Sequence, residues 1–276
     1  MTRKLLYLYT RTPLHIGAGA SVGAIDHPVA RERATGLPIA PGSAIKGVLA
    51  DNYLATDRKS RTDAGRMIFG HEKPEDENAS SGSVAFGEGR LLAFPVRSAK
   101  GCFAWVTSPL LLRRWARESG VALGGLPEPV DLELYGHAAT LAHTGSVVLE
   151  DYAFTHKAPF AQAATIAGVL GANDTVWASL AAQRLCLISD DLLAHFALHA
   201  CEIAQHICID DERGTVKDGL LFSQENVPAE TLFYSVLREL RPGSLAQLTV
   251  PDTIQIGADA TTGLGFCSTK LTAAIQ

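Results

Sequence analysis

Between the apolar run 4-KLLYLY-9 and the helical repeat that begins at Ser43, the chain is broken by glycines at 17, 19, 23, 36 and 42 and prolines at 13, 28, 38 and 41. No regular helix can cross such a segment. Residues that precede proline avoid the α region, and each glycine costs a helix about 1 kcal/mol relative to alanine. A first strand that passes directly into a packed helix is therefore excluded. What remains is an irregular loop, 14-LHIGAGASVGAIDHPVARE-32, in which Asp26 is the carboxylate that precedes Pro28 and Glu32 the one that follows it. Aspartate before His-Pro is good turn chemistry, so the residue alone reads as a turn former ahead of a catalytic acid.

The same break decides between three motifs that the segment mimics. Gly17-Ala-Gly19 after a strand suggests a dinucleotide loop, but the next glycine is Gly23, one position late, and the required helix is missing. Gly19-Ala-Ser21-Val-Gly23 matches a nucleophile elbow in letters only, because the elbow also needs a helix directly behind the serine. Gly36 and Gly42 with Ser43 lack phosphate-loop spacing. One physical part survives: free N–H groups at a helix start favour an anion, and Lys46 lies one turn in. Further on, 195-HFALH-199 puts two histidines at i, i+4 near Cys201, His206 and Cys208. The glutamate of H-E-x-x-H is absent, so ordinary helix histidines are the better reading than zinc ligands.

Charge adds one pointer. The whole chain carries −5, which argues against a nucleic-acid binder, yet residues 1–66 hold 10 Lys+Arg against 5 Asp+Glu and the remainder 14 against 24. The first part is thus +5 and the rest −10, the signature of a basic face on an acidic body. Five cysteines without a C-x-x-C pair fit a reduced compartment, and no apolar run approaches the roughly 18 residues that span a bilayer. A cytoplasmic chain with no membrane partner is the expectation.

Periodicity predicts a buried strand over 4–9, a helix capped by Ser43, and an exposed basic stretch over 58–66. It predicts an acidic mobile loop over 71–83, strands over 84–98 and 102–108, and a helix after Pro109. Residues 120–180 read as loops with short apolar pieces. A helix over 190–204 capped by Ser189 or Asp190 follows. The strands 205–210 and 218–228 then flank a turn at 211–214, a β-hairpin. A glycine turn lies within 257–271. The whole reads as one α+β domain with insertions.

Taken in order, TPLHIGAG, GAIDHPVARE, TGLPIAPGSAIKGVLA and a late TTGLGF resemble the RAMP proteins of CRISPR systems. The resemblance is to the repeated backbone subunit of type III effector complexes. The blocks 89-GRLLAFPVRSAKGCFAWVTSP-109 and 205-QHICIDDERGTVKDGLLFSQENVP-228 resemble the Cmr type (type III-B) more than the Csm type (type III-A). It extends over nearly the whole chain, more faintly through 120–180.

That resemblance implies a single RAMP domain over 1–276 with a modified RRM or ferredoxin-like core, inserted loops and a hairpin thumb near 208–228. It implies copies stacked head to tail on a guide RNA, beside other type III subunits, with bound target RNA cut once per copy. The aspartate of the family's I-D-x-P loop falls on Asp26. Cleavage in the family is metal-dependent, which implies a loosely held Mg²⁺ or Mn²⁺ with Asp26 as its protein ligand. His27 and His15 are candidate catalytic support. Gly42, Ser43, Lys46, Arg31, Arg33, Thr262, Gly263 and Gly265 are candidate RNA contacts, as are Arg58, Lys59 and Arg61. The alternatives are a catalytically silent guide scaffold, a Csm-type subunit, and an unrelated hydrolase using Ser21.

Overall fold

The computed structural model describes residues 2–274 apart from 20–22, 57–59, 72–78, 138–140, 144, 210–212 and 215, and apart from the side chains of 143, 208 and 216–220. Ser21, Arg58, Lys59 and most of the loop expected over 71–83 lie outside the described residues. The first half of the chain forms β1 (Arg3–Thr10), β2 (Ile39–Ala40), α1 (Gly42–Asp51), α2 (Asp63–Phe69), β3 (Val84–Phe86), β4 (Gly89–Ser98), β5 (Cys102–Thr107) and α3 (Pro109–Ser119). The middle adds β6 (Glu133–Gly136), β7 (Ala142–His143), β8 (Ser146–Leu149), β9 (Tyr152–His156), α4 (Ala163–Asn173), α5 (Ala181–Arg184) and β10 (Leu185–Leu187). The chain closes with α6 (Asp190–His199), β11 (Glu202–Ile209), β12 (Val216–Asn226), β13 (Leu232–Glu239), β14 (Thr253–Gln255) and β15 (Phe266–Ala273).

One large sheet runs β14-β15-β1-β13-β4-β5-β10-β6-β9-β8-β7, with β2 beside β4 and β3 beside β13. Its second half curls back on itself, because Ser98 at the end of β4 pairs with Cys102 of β5 and also with Leu149 of β8. The strands from β4 round to β8 thus form a barrel-like ring. β1 is central, antiparallel to both β13 and β15. Its alternating side chains serve two cores. Leu6 and Leu8 join Ile45 and Leu49 of α1 and Phe196 of α6; Leu5, Tyr7 and Tyr9 join Trp115 of α3 and Ile166 and Leu170 of α4. A strand covered on both faces has no polar side, and for that reason 4-KLLYLY-9 lacks a polar stripe.

Four sequence expectations are corrected. Ser43 lies inside α1, whose N-cap is Pro41 with no side-chain cap, because Gly42 must start the helix tight against β3. A Cβ on Gly42 would stand 2.3 Å from the Phe86 carbonyl oxygen. The helix over 190–204 is capped by Ser189, whose Oγ accepts from the Leu192 amide, but it stops at His199 and β11 begins at Glu202. Part of the stretch expected to be an exposed basic run, from Asp63 onward, is helix α2, capped by Thr62 and burying Gly65. The middle third holds α4, hidden in sequence because Ala163–Asn173 is apolar nearly all round and so shows no stripe.

β11 and β12 form a separate two-stranded hairpin. It starts at Glu202, earlier than the expected 208. No helix among the described residues is long and apolar enough to cross a membrane.

Candidate functional site

The site is organised on the root of β12, 222-FSQEN-226. This polar run is buried: Ser223, Gln224, Glu225 and Asn226 are each under 9% exposed. Its outer edge is covered by the glycine–proline loop. Pro28 holds His27 extended, and the loop then runs parallel to β12: the His27 amide donates to the Ser223 carbonyl (3.0 Å) and the Glu225 amide to the His27 carbonyl (2.9 Å). The glycine arm folds back across this pairing. Ala18 donates to the Pro28 carbonyl (3.0 Å) and Ala30 to the Ile16 carbonyl (2.8 Å).

Asp26 is exposed on this loop. Its Oδ2 accepts two hydrogen bonds, from the Ser223 amide (2.7 Å) and the Ser223 hydroxyl (2.9 Å), while its own amide donates to Ser223 Oγ (3.0 Å). Oδ1 takes part in none of these bonds. Donation by the Ser223 amide, then by its hydroxyl, holds the carboxyl below its ordinary value, so Asp26 is an anion at neutral pH. His27 is exposed and meets Phe222 edge-on at 5.0 Å, with His206 stacked parallel to the same ring.

His15 is buried, 6% exposed, and its Nδ1 lies 2.6 Å from the Glu225 carbonyl oxygen. A Cβ on Gly17 would stand 3.1 Å from His15 Nε2, so the glycine makes room for the ring. Arg31 also turns inward. Its guanidinium donates to Glu225 Oε1 (2.5 Å), to the Ala197 carbonyl at the end of α6 (2.9 Å) and to the Gly36 carbonyl (2.7 Å). Glu225 Oε2 accepts from the Val29 amide (2.9 Å). Arg33, by contrast, is exposed on the adjoining turn.

The late glycine turn joins through Gln224, whose Nε2 donates to Asp259 Oδ2 (2.8 Å), and through the Ala258 amide, which donates to the His15 carbonyl (2.9 Å). Within it Thr262 is exposed and Gly263 has φ 89°, with open space where a Cβ would stand. Gly265 is different. At φ 78° it packs so tightly that a Cβ would lie 2.0 Å from the Ile256 carbonyl oxygen.

Gly42, Ser43 and Lys46 lie at the start of α1, where no side chain caps the helix and no acidic residue occupies the first turn. Ser43 is exposed, and Lys46 borders a cavity of about 350 Å³ together with Gly70, His71 and Ser80–Gly82. Arg61 donates to the Gly70 carbonyl (2.7 Å).

The fold therefore gathers His15, Asp26, His27, Arg31 and the late glycine turn around β12. The start of α1 is a separate feature of the surface. Ser223, Gln224 and Glu225 are the residues that sequence reasoning missed; the available signal was an uninterrupted polar run inside a strand. Among the described residues no three of His, Cys, Asp and Glu gather closely enough to hold a metal ion. His195 instead lies 2.9 Å from the Tyr152 hydroxyl. Asp26 Oδ1 is a single hard oxygen, which fits a loosely held divalent cation that keeps water and substrate oxygens as its other ligands.

The chain is 32% identical over 98% of its length, and 96% of the relative's, to the CRISPR system Cmr endoribonuclease Cmr4 of Pyrococcus furiosus. A shorter match, 37% identical over 90 residues, covers 29% of this chain and 40% of the Cms endoribonuclease Csm3 of Streptococcus thermophilus. The crystal structure of oligomeric Cmr4 from Pyrococcus furiosus superposes over 100% of both chains with a TM-score of 0.74 at 27% identity. A chain of the type III-B Cmr-beta complex bound to cognate target RNA shares the fold, with a TM-score of 0.74 over 98% of this chain and 97% of that one at 19% identity. Residues 7–268 match the RAMP superfamily, and the chain belongs to that family.

Proposed function

We propose that this chain is the backbone subunit of a type III-B CRISPR ribonucleoprotein, which stacks along the guide RNA and cleaves bound target RNA at regular intervals with Asp26. The observation that carries the reading is the near-full-length identity to a Cmr endoribonuclease. The short Csm match covers less than a third of the chain and supports the Csm-type alternative correspondingly less. Head-to-tail copies, a guide RNA, a complementary target RNA and the other type III subunits are the partners, at work in the cytoplasm. Membership of the family displaces the serine-hydrolase alternative.

The core of the reading is a modified RRM-like domain over the whole chain. The antiparallel order β15-β1-β13-β4 supports it, since the first strand lies between the last and the third as in that fold. The helix expected between β13 and β15 is reduced to a 3₁₀ turn at Ser244–Ala246. The hairpin β11–β12 is the thumb. Ile203, Ile207, Ile209 and Leu221 on it are each about half exposed or more, and Ile207 is paired with Leu221 across the strands. An exposed apolar stripe of this kind suits a wedge between nucleobases.

In the mechanism, the ribose 2′-OH of a target nucleotide displaced at the thumb gives up its proton and attacks the adjacent phosphorus in line, a geometry that a regular duplex forbids; a 2′,3′-cyclic phosphate closes as the bond to the 5′ oxygen of the next nucleotide breaks, and that oxygen leaves with a proton. Asp26 Oδ1 orients the reacting ribose-phosphate, and its ionised state rules it out as a proton donor at neutral pH. A divalent cation held by Asp26, Mg²⁺ or Mn²⁺, would supply positive charge to the phosphate oxygens. His27, exposed beside Asp26, is the candidate for moving a proton. His15, buried with its Nδ1 engaged, positions the loop.

Gly42, Ser43 and Lys46 grip guide phosphates at the uncapped helix start, with Arg33, Thr262 and Gly263 as further backbone contacts. The internal bonds of Arg31 and the tight packing of Gly265 support positioning roles for both. The silent-scaffold alternative is separated by Asp26→Ala: reconstituted complexes carrying it bind target RNA and leave it intact. Cutting at the regular sites would instead mean that the catalytic assignment is wrong.

A further inference from the structure

Asp26 lies on an exposed loop behind Gly23 and Ala24, and the residue whose paired hydrogen bonds direct its carboxylate is distant in sequence. Ser223 is 8% exposed, lies 197 positions away, and meets Asp26 through three hydrogen bonds, two to Oδ2 and one from the Asp26 amide. Two of the three pass through the Ser223 hydroxyl, which donates to Oδ2 and accepts from the amide.

We propose that Ser223 is a positioning residue for target cleavage: it pins Asp26 Oδ2 to β12 and so presents Oδ1 to the RNA. This rests on the reading that Asp26 performs the cut. The carboxylate would otherwise rotate about χ1 and χ2, since an exposed aspartate has several accessible rotamers. With both Oδ2 bonds in place, only one orientation satisfies the two donors. The loop meets the hydroxyl through a single backbone bond, from the Asp26 amide, and its placement has other supports. It is set by the backbone pairing of His27 with Ser223 and Glu225 and by the Val29 amide on Glu225. Removing the hydroxyl leaves Oδ2 with the Ser223 amide as its remaining donor from β12, which loosens the orientation of the carboxylate while the backbone pairing keeps the loop docked.

The test uses the complex assembled with guide RNA, and measures the single-turnover cleavage rate and the target-RNA Kd separately. Ser223→Ala is expected to slow cleavage roughly 10- to 100-fold, as for a lost hydrogen bond to a charged group, with target Kd unchanged within about twofold. Ser223→Thr keeps the hydroxyl and is expected to restore the rate to within about threefold.

Cleavage by Ser223→Ala at the unaltered rate overturns the proposal. So does a loss of rate matched by loss of target affinity that Ser223→Thr does not rescue, which would mark Ser223 as part of the scaffold only. If Asp26→Asn alone cuts at full rate, the reading beneath the proposal is what fails.

Discussion

At the scale of single residues, Glu225 holds the site in register: its side chain binds the Arg31 guanidinium and the Val29 amide while 3% exposed. Removing it leaves a largely buried guanidinium without its counter-ion. Glu225→Ala is expected to cost about 3–5 kcal/mol in denaturant titration. Glu230 offers a pH test. Burial raises its carboxyl to about 7, against 4.5 ordinarily, so the folded state binds a proton that the unfolded state has released. Stability from this group is therefore present below pH 4.5 and falls as pH rises towards 7. Glu230→Gln removes that loss, and thermal melts at a series of pH values are expected to show a flatter profile with a higher Tm above neutrality. Asp26 was legible in sequence as a lone acid in a frame that forbids helix. Its partner was not, because a contact across 197 positions leaves no local pattern.

Among the elements, the late turn separates two glycines of different kind. Gly265→Ala forces a Cβ against the Ile256 carbonyl at a left-handed backbone, and is expected to lose several kcal/mol or fail to fold. Gly263→Ala meets open space and should cost only about 1 kcal/mol, leaving any larger loss in the assembled complex attributable to RNA. On the hairpin, Ile207→Asn and Leu221→Asn replace exposed side chains, so the free protein's stability should change by less than about 0.5 kcal/mol. Target cleavage by the complex is expected to fall, which a cleavage time course measures. The hairpin was visible in sequence from its alternation and its turn. Its true root was not, because α6 ends at His199 without a glycine or proline to signal the stop. Helix α4 was hidden because its exposed side carries small and apolar residues like its buried one, which leaves no amphipathic stripe to read.

For the molecule as a whole, the sheet explains why the acid and the hairpin belong to one body. β1 and β13 carry the loop and β12 out from the same end of the sheet: Thr10 is hydrogen-bonded to Thr231 before one departs, and Leu14 to Val227 as the other returns. The α+β class was legible from the alternation of strand and helix patterns. The closure of β4 onto β8 was not, since one bridge at Ser98 and Leu149 decides it and both residues are ordinary strand residues. The central claim is that Asp26 of this chain cuts RNA held on the guide. Its most direct test is to assemble the complex with Asp26→Asn, confirm that guide and target RNA bind with unaltered affinity, and map the target by sequencing gel. The variant is expected to leave the target intact where the unaltered complex gives products at a regular spacing. The same ladder of products from the variant would contradict it.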